Sequence, residues 1–176
     1  MKIRQLASED HAKVSALLRQ AFPGNTYYLQ LIEGLHKNKK ALHDWVCIHC
    51  GRIAAYIAFS NAYDGKNICG FHLAPLAVSP QFRRQGIGSE LLRFSLRQPT
   101  LKEATLFALG APGFFRKFGF ESCQMPVCPF DKNNVQFSSL RNTATQEYTV
   151  GYEPEFKKGP GVVRPGTHKG KKKRKR

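Results

Sequence analysis

No run of 18 or more apolar residues occurs in this 176-residue sequence, and its opening, MKIRQLASED, has no apolar h-region. Neither a membrane span nor a signal peptide is predicted, and the protein is expected in the cytoplasm. Acidic residues are scarce, 12 Asp plus Glu against 28 Lys plus Arg, and the scarcity is uneven: from Lys157 onward there are 10 basic residues and no acidic one. The rest holds 18 basic against 12 acidic groups, so the body is only moderately basic and most of the surplus lies in a separable end. The length suits one domain with a real core and is short for two. The cysteines, Cys47, Cys50, Cys69, Cys123 and Cys128, are odd in number and scattered, which does not make a disulfide framework; reduced thiols are expected. CIHCG, from Cys47 to Gly51, has the C-x2-C-G form of a zinc knuckle, with Cys123 and Cys128 as a second pair to weigh. The first pair falls at the tip of a predicted hairpin and the second spacing is loose, so small buried thiols are the better reading and no metal is expected.

Two more absences frame the central stretch, LAVSPQFRRQGIGSELLRF from Leu76 to Phe94. No Lys completes a P-loop GxxxxGK[ST], and Leu91 stands where a dinucleotide fingerprint needs its third glycine. What is present is RxxGxG from Arg83 to Gly88, with an apolar strand before it and a helix after it. Gly86 and Gly88 leave backbone amides uncovered at a helix start, where the positive end of the helix dipole also favours an anion, and Arg83 and Arg84 add charge beside them. Ile87, Leu91 and Phe94 recur at i, i+4 and i+7 and would hold that helix against a sheet. The grammar is that of a phosphate site. A second segment, GAPGFFRKFGFES from Gly110 to Ser122, follows the strand-like ATLFALG.

RxxGxG preceded by LAV resembles motif A of the GNAT superfamily of N-acetyltransferases, and the second segment resembles its motif B. APLAVSP and GAPGFFRKFGFE look particularly like the YhbS-type branch of that superfamily. The resemblance covers roughly residues 1 to 156 and not the basic end. It implies an α+β (mixed α/β) GNAT fold: a central, twisted, mostly antiparallel sheet with a splayed parallel strand pair, flanked by helices. It also implies an acyltransferase that uses acetyl-CoA as cosubstrate. The backbone around Leu76, Ala77 and Val78 would then bond the pantetheine and the thioester carbonyl. Arg83, Arg84, Gln85, Gly86, Ile87, Gly88 and Ser89 would surround the pyrophosphate, and Phe115 would lie beside the coenzyme arm.

In chain order, MKIRQLA reads as a first strand ended by Ser8 as N-cap. Val14, Leu17, Leu18 and Ala21 then mark a helix stopped by Pro23-Gly24, and Tyr28, Leu31, Ile32 and Leu35 mark a second. In the family such a pair commonly forms one wall of the acceptor site. From Leu42, HDWVCIHC, GRIAAYIAFS and NICGFHLAPLAV, with turns at Gly51-Arg52 and Asp64-Gly65, predict an antiparallel meander. Pro75 requires that the third strand be an edge or carry a bulge there; the family places a bulge or splay at this point, admitting the pantetheine arm. Pro99 ends the next helix and ATLFALG supplies a parallel strand reached by a crossover. The segment Gln124 to Asn134 reads as a loop, VQFSSL and TQEYTVGY as closing strands.

Acetyl transfer to an amine needs the coenzyme held, the carbonyl polarised, the amine deprotonated and the thiolate protonated or stabilised. Many family members carry a tyrosine four residues before the Gly of motif B's Gly-Phe as the acid for the thiolate; here that position is Phe115, which has no proton to give. Water assistance, a substitute group nearby, or binding with little turnover are the alternatives. For the base, the strand before motif A offers His72 and no carboxylate, and histidine titrates near neutrality. Glu121 and Cys123 follow the Gly-Phe and are further candidates.

Residues 157–176, ending KGKKKRKR, are too rich in Gly, Pro and like charges to pack a core, and a disordered polybasic tail is expected. Such an end binds polyanions by counterion release, so RNA, the ribosome or DNA is the expected partner, and an anionic membrane surface the next. The sequence therefore predicts an N-acetyltransferase acting on a primary amine of an unidentified acceptor, monomeric or homodimeric. The alternative is an acetyl-CoA-binding GNAT-fold protein with little turnover, brought to RNA or ribosomes by its tail.

Overall fold

The computed structural model describes residues 1–157 and 159. One seven-stranded sheet runs through it: β1 (Lys2–Gln5), β2 (Leu42–His49), β3 (Arg52–Asp64), β4 (Asn67–Val78), β5 (Leu106–Leu109), β6 (Glu121–Ser122) and β7 (Phe137–Leu140), in the spatial order β1-β2-β3-β4-β5-β7-β6. Every pairing is antiparallel except β4 with β5. Four α-helices accompany it: α1 (His11–Ala21), α2 (Tyr27–Lys37), α3 (Ile87–Leu96) and the one-turn α4 (Pro112–Phe115).

Both faces of the central strands are covered, and the two-residue side-chain period divides them. Val46, Tyr56, Ala58 and Ala77 pack with α1 and α2, whereas Cys47, Ala55, Ile57 and Phe59 pack with α3 and Phe115. At 11 residues neither α1 nor α2 is long enough to hold its shape alone, so tertiary burial makes them helices. Leu17 and Leu18 contribute about 1.5–3 kcal/mol each by leaving water.

The start of α1 differs from the expected Ser8 cap. Ser8 opens a 3-10 turn, and the buried Asp10 carboxylate accepts the Ala7 N–H at 3.0 Å while Arg4 grips it from the other side. That guanidinium holds the Asp10 carboxyl below its ordinary range. The segment TQEYTVGY also departs from expectation. It makes only single bridges, Val127 with Thr149 and Tyr63 with Gly151; both backbone groups of Gly151 bond Tyr63, on β3 beyond the last residue that pairs with β2. Its end is pinned by Glu153, which accepts from the Tyr63 hydroxyl at 2.6 Å and pairs with Lys40 at 3.0 Å. Phe156 is buried against α2, and the expected disordered tail falls outside the described residues apart from Lys157 and Gly159.

The feature that positions the site is in β4. Ile57 faces Leu76 but Phe59 faces Leu73, so β4 carries one extra residue at Ala74-Pro75. The proline sits in a bulge of an interior strand. On the other side, β5 pairs only with Phe71, His72 and Leu73 and then diverges.

Candidate coenzyme and acceptor cavity

Beyond Leu73 the divergence of β4 from β5 leaves a gap. The Phe71 N–H donates toward β5, to Thr105, and the Ser79 N–H donates toward β3, to Ala54. Counting back from Ser79 by the strand's period of two, Ala77 turns its peptide groups to β3, whereas Leu76 and Val78 turn theirs into the gap.

At the C-terminal end of β4 the chain passes through Pro80–Phe82 into the loop Arg83 to Gly86 and then α3. Arg84 has φ 60° and Gly86 φ 80°, an alternation of left- and right-handed backbone that curves successive amides around a concavity. Among the described residues, the N–H groups of Arg84, Gln85, Gly86, Ile87, Gly88 and Ser89 donate to no other group of the chain; the first bond of α3 is Glu90 N–H to Gly86 C=O. The two glycines act differently. Gly86 faces open space and is needed for its backbone angle, whereas a Cβ on Gly88 would stand 3.0 Å from Val78 Cγ2, so its absence lets α3 close onto β4.

Arg83 is more committed than the sequence suggested. Its Nε donates to Val78 C=O at 3.2 Å and its Nη2 to Ala21 C=O at 2.8 Å, tying the end of α1 to the end of β4 at the cavity mouth. Arg84 is exposed, and the Gln85 side chain folds back to Gln81 C=O.

The loop opens into a cavity of about 650 Å³ running along the gap. One side is formed by Leu109, Gly110, Ala111, Phe114 and Phe115 from β5 and α4, the other by Phe22, Tyr27, Tyr28, Phe130, Tyr152 and Phe156, with Ala74 to Val78 between them. Phe115 is buried and packs against Phe114 and Phe120; it presents an apolar ring. The aromatic wall from Phe130, Tyr152 and Phe156 was missed in the sequence. Tyr148, Val150 and Tyr152 read as an alternating strand, and nothing local says that Tyr152 lies flat on His72, 3.5 Å between centroids, or that Tyr27 donates to Phe156 C=O at 2.9 Å.

The three residues proposed for proton transfer do not converge. Glu121 and Cys123 followed the Gly-Phe in sequence, but β7 inserts between β5 and β6, so Glu121 lies on the far edge of the sheet, exposed, and borders no part of the cavity. Cys123 is buried in a separate cluster with Phe107, Cys128 and Phe137; its Sγ is 3.2 Å from Met125 C=O, and burial raises its thiol. His72 does border the cavity, yet its Nε2–H donates to Gly151 C=O at 3.0 Å and burial pulls its pKa to about 3. It stays a neutral wall residue across the physiological range rather than a base matched to an ammonium group. The thiols Cys47 and Cys50 are likewise apart in environment, one buried and one on the exposed hairpin turn.

The arrangement can hold an extended ligand with an anionic end against the loop amides and an amide-bearing arm along the open edge of β4. Its walls there are apolar. Comparison with known proteins gives this geometry a family. Residues 41–122, from the start of β2 through β6, match the acetyltransferase (GNAT) domain. The uncharacterized N-acetyltransferase YhbS of Escherichia coli K12 is 30% identical over 126 residues, which is 69% of this chain and 74% of that protein. Among solved structures, E. coli YhbS in complex with CoA superposes with a TM-score of 0.79 at 25% identity, covering 88% of this chain and 91% of that one. A GNAT family acetyltransferase from Brucella melitensis in complex with acetyl-CoA gives 0.73 at 25% identity, covering 88% and 97%. The chain belongs to the GNAT family of N-acetyltransferases.

Proposed function

We propose that this chain binds acetyl-CoA along the β4 gap and transfers its acetyl group to a primary amine. The observation that carries the reading is the continuity of six unpaired amides at the start of α3 with the open edge of β4 and the cavity. The amides from Arg84 to Ser89 suit a pyrophosphate, whose charge the helix dipole also favours. The Leu76 N–H and C=O and the Val78 N–H suit the amides of a pantetheine arm, the Val78 C=O being held by Arg83, and a β4 N–H facing the gap would polarise the thioester carbonyl. That CoA and acetyl-CoA occupy two similarly folded relatives supports this assignment. In the transfer, the amine nitrogen forms a bond to the carbonyl carbon, the carbon–sulfur bond breaks, and the proton lost by nitrogen ends on sulfur.

A second reading has its own support: Phe115 has no proton to give, and neither Glu121 nor Cys123 reaches the cavity. These favour a coenzyme-binding protein with little turnover. Calorimetry with acetyl-CoA, combined with thiol release over a panel of amines, separates the two. Binding with release supports the transferase, binding without release on any amine supports the second reading, and absence of binding sinks both. In either case the ten basic residues of 157–176 support recruitment to a polyanion such as RNA.

A further inference from the structure

We infer that the acceptor is a small primary amine of low basicity carried on an uncharged, aromatic or otherwise apolar body, and not a polycation. The inference rests on the acetyltransferase reading and deepens it. If the coenzyme arm follows β4 past Phe114 and Phe115, the space left for the acceptor lies against Phe22, Tyr27, Tyr28, Phe130, Tyr152 and Phe156. Among the described residues no Asp, Glu or Lys lines any part of this cavity. Arg83 is a cation at its mouth, and His72 is neutral. Two of the three tyrosine hydroxyls are already engaged, Tyr27 with Phe156 C=O and Tyr152 with Cys128 Sγ at 3.4 Å. The Tyr28 hydroxyl makes no hydrogen bond to a described residue and offers one polar point for orienting a ligand.

These walls hold no carboxylate to offset the dehydration of an ammonium group, which outweighs what ring faces return to it, and with Arg83 at the mouth they favour the neutral amine. At pH 7.5 roughly one in a thousand alkylamines with the basicity of a lysine is neutral, against about one in four of α-amino groups with a pKa near 8. The selection is therefore about two hundredfold before any contact is made. It also accounts for the missing acid and base. An amine that enters neutral carries one proton to lose when its nitrogen bonds the acetyl carbon, and the departing sulfur needs one. The reaction balances with a single nitrogen-to-sulfur proton transfer, through water, and asks no side chain to ionise. The aromatic faces then supply contact area for the acceptor's body.

The test is calorimetry of amines added to the protein saturated with CoA, a complex that cannot turn over, so binding preference is read apart from catalysis. Phenylalaninamide and glycinamide share an α-amino group and differ by the ring; spermidine and a lysyl peptide bring cations. Phenylalaninamide is expected to bind at least tenfold more tightly than the other three. Tyr28→Asp, which puts a carboxylate on the wall, is expected to weaken phenylalaninamide at least tenfold and strengthen spermidine, with unchanged acetyl-CoA binding showing that the fold is intact. Tighter binding of spermidine or the peptide, binding of none, or indifference to Tyr28→Asp would each overturn the inference. Thiol release preferring spermidine refutes the acceptor class and leaves the transferase reading; phenylalaninamide binding without release on any amine overturns the transferase reading and the acceptor with it, leaving only a binding pocket for such amines.

Discussion

The loop before α3 can grip an anion only while nothing stands in front of its amides, and Gly86 is where that can be changed with least disturbance. Its φ of 80° makes any side chain strained, by about 1–2 kcal/mol, yet a Cβ there meets no atom within 4 Å. Gly86→Gln and Gly86→Glu should therefore fold, share the same strain and melt about 2–8 °C below the parent protein. They differ in charge alone. A carboxylate about 5 Å from a diphosphate opposes each of its charges by about 0.8 kcal/mol in bulk water and about 3 kcal/mol at an effective dielectric of 20. With roughly two phosphate charges, the difference in acetyl-CoA affinity between the variants should be at least about tenfold, since 1.4 kcal/mol is a factor of ten. Calorimetry on both at two salt concentrations is the assay, and the gap should narrow at high salt. Equal affinities, with both proteins folded, would mean that the pyrophosphate does not lie on this loop.

Phe115→Tyr adds a hydroxyl to a ring on the cavity wall and is expected to leave turnover unchanged or raise it; a loss beyond tenfold with acetyl-CoA binding intact would assign the apolar ring a function of its own. His72 binds a proton near pH 6.5 when unfolded but only near pH 3 when buried. Its stabilising contribution is therefore complete above pH 6.5 and falls by about 1.4 kcal/mol per pH unit toward pH 3; His72→Gln should flatten that acid limb in urea melts. Gly88→Ala should lower stability by about 1–3 kcal/mol by crowding Val78, and Val78→Ala in the same chain should restore part of the loss in a double-mutant cycle. Removing residues 160–176, which hold 8 of the basic groups, should abolish salt-sensitive RNA binding in filter assays without changing acetyl-CoA affinity; undiminished binding would place the contact on the body.

The parts of the molecule legible in its sequence are those set by local chemistry. Val14, Leu17, Leu18 and Ala21 are all buried, as their spacing required, and Pro75 announced an interruption in β4. Even local signals can compete. Ser8 and Asp10 both stand near the start of α1, and the choice went to Asp10 because Arg4, from β1, gives its carboxylate a second partner. What stayed hidden depends on strand order and on distant segments. Glu121 sits one residue after the Gly-Phe, but no periodicity in the chain tells that β7 will separate its strand from β5. His72 had the chemistry of a base until Tyr152, eighty residues later, lay across it.

The extra residue in β4 links the hidden and visible parts. Before it, Phe71 and Leu73 turn their peptide groups to β5; after it, Leu76 and Val78 do, so the bulge moves that role from odd to even positions. A strand without the insertion would give Ala77 this orientation and rotate Leu76 and Val78 out of the core cluster beneath α3. It would also move Val78 away from Gly88, the contact that sets how closely the amides of α3 approach the end of the strand. Both halves of the proposed coenzyme site, the open strand edge and the loop that continues it, thus depend on one irregularity. Because backbone groups form both halves, side chains along the gap are left free to be apolar, and the proposed acceptor wall facing them is made of rings rather than charges.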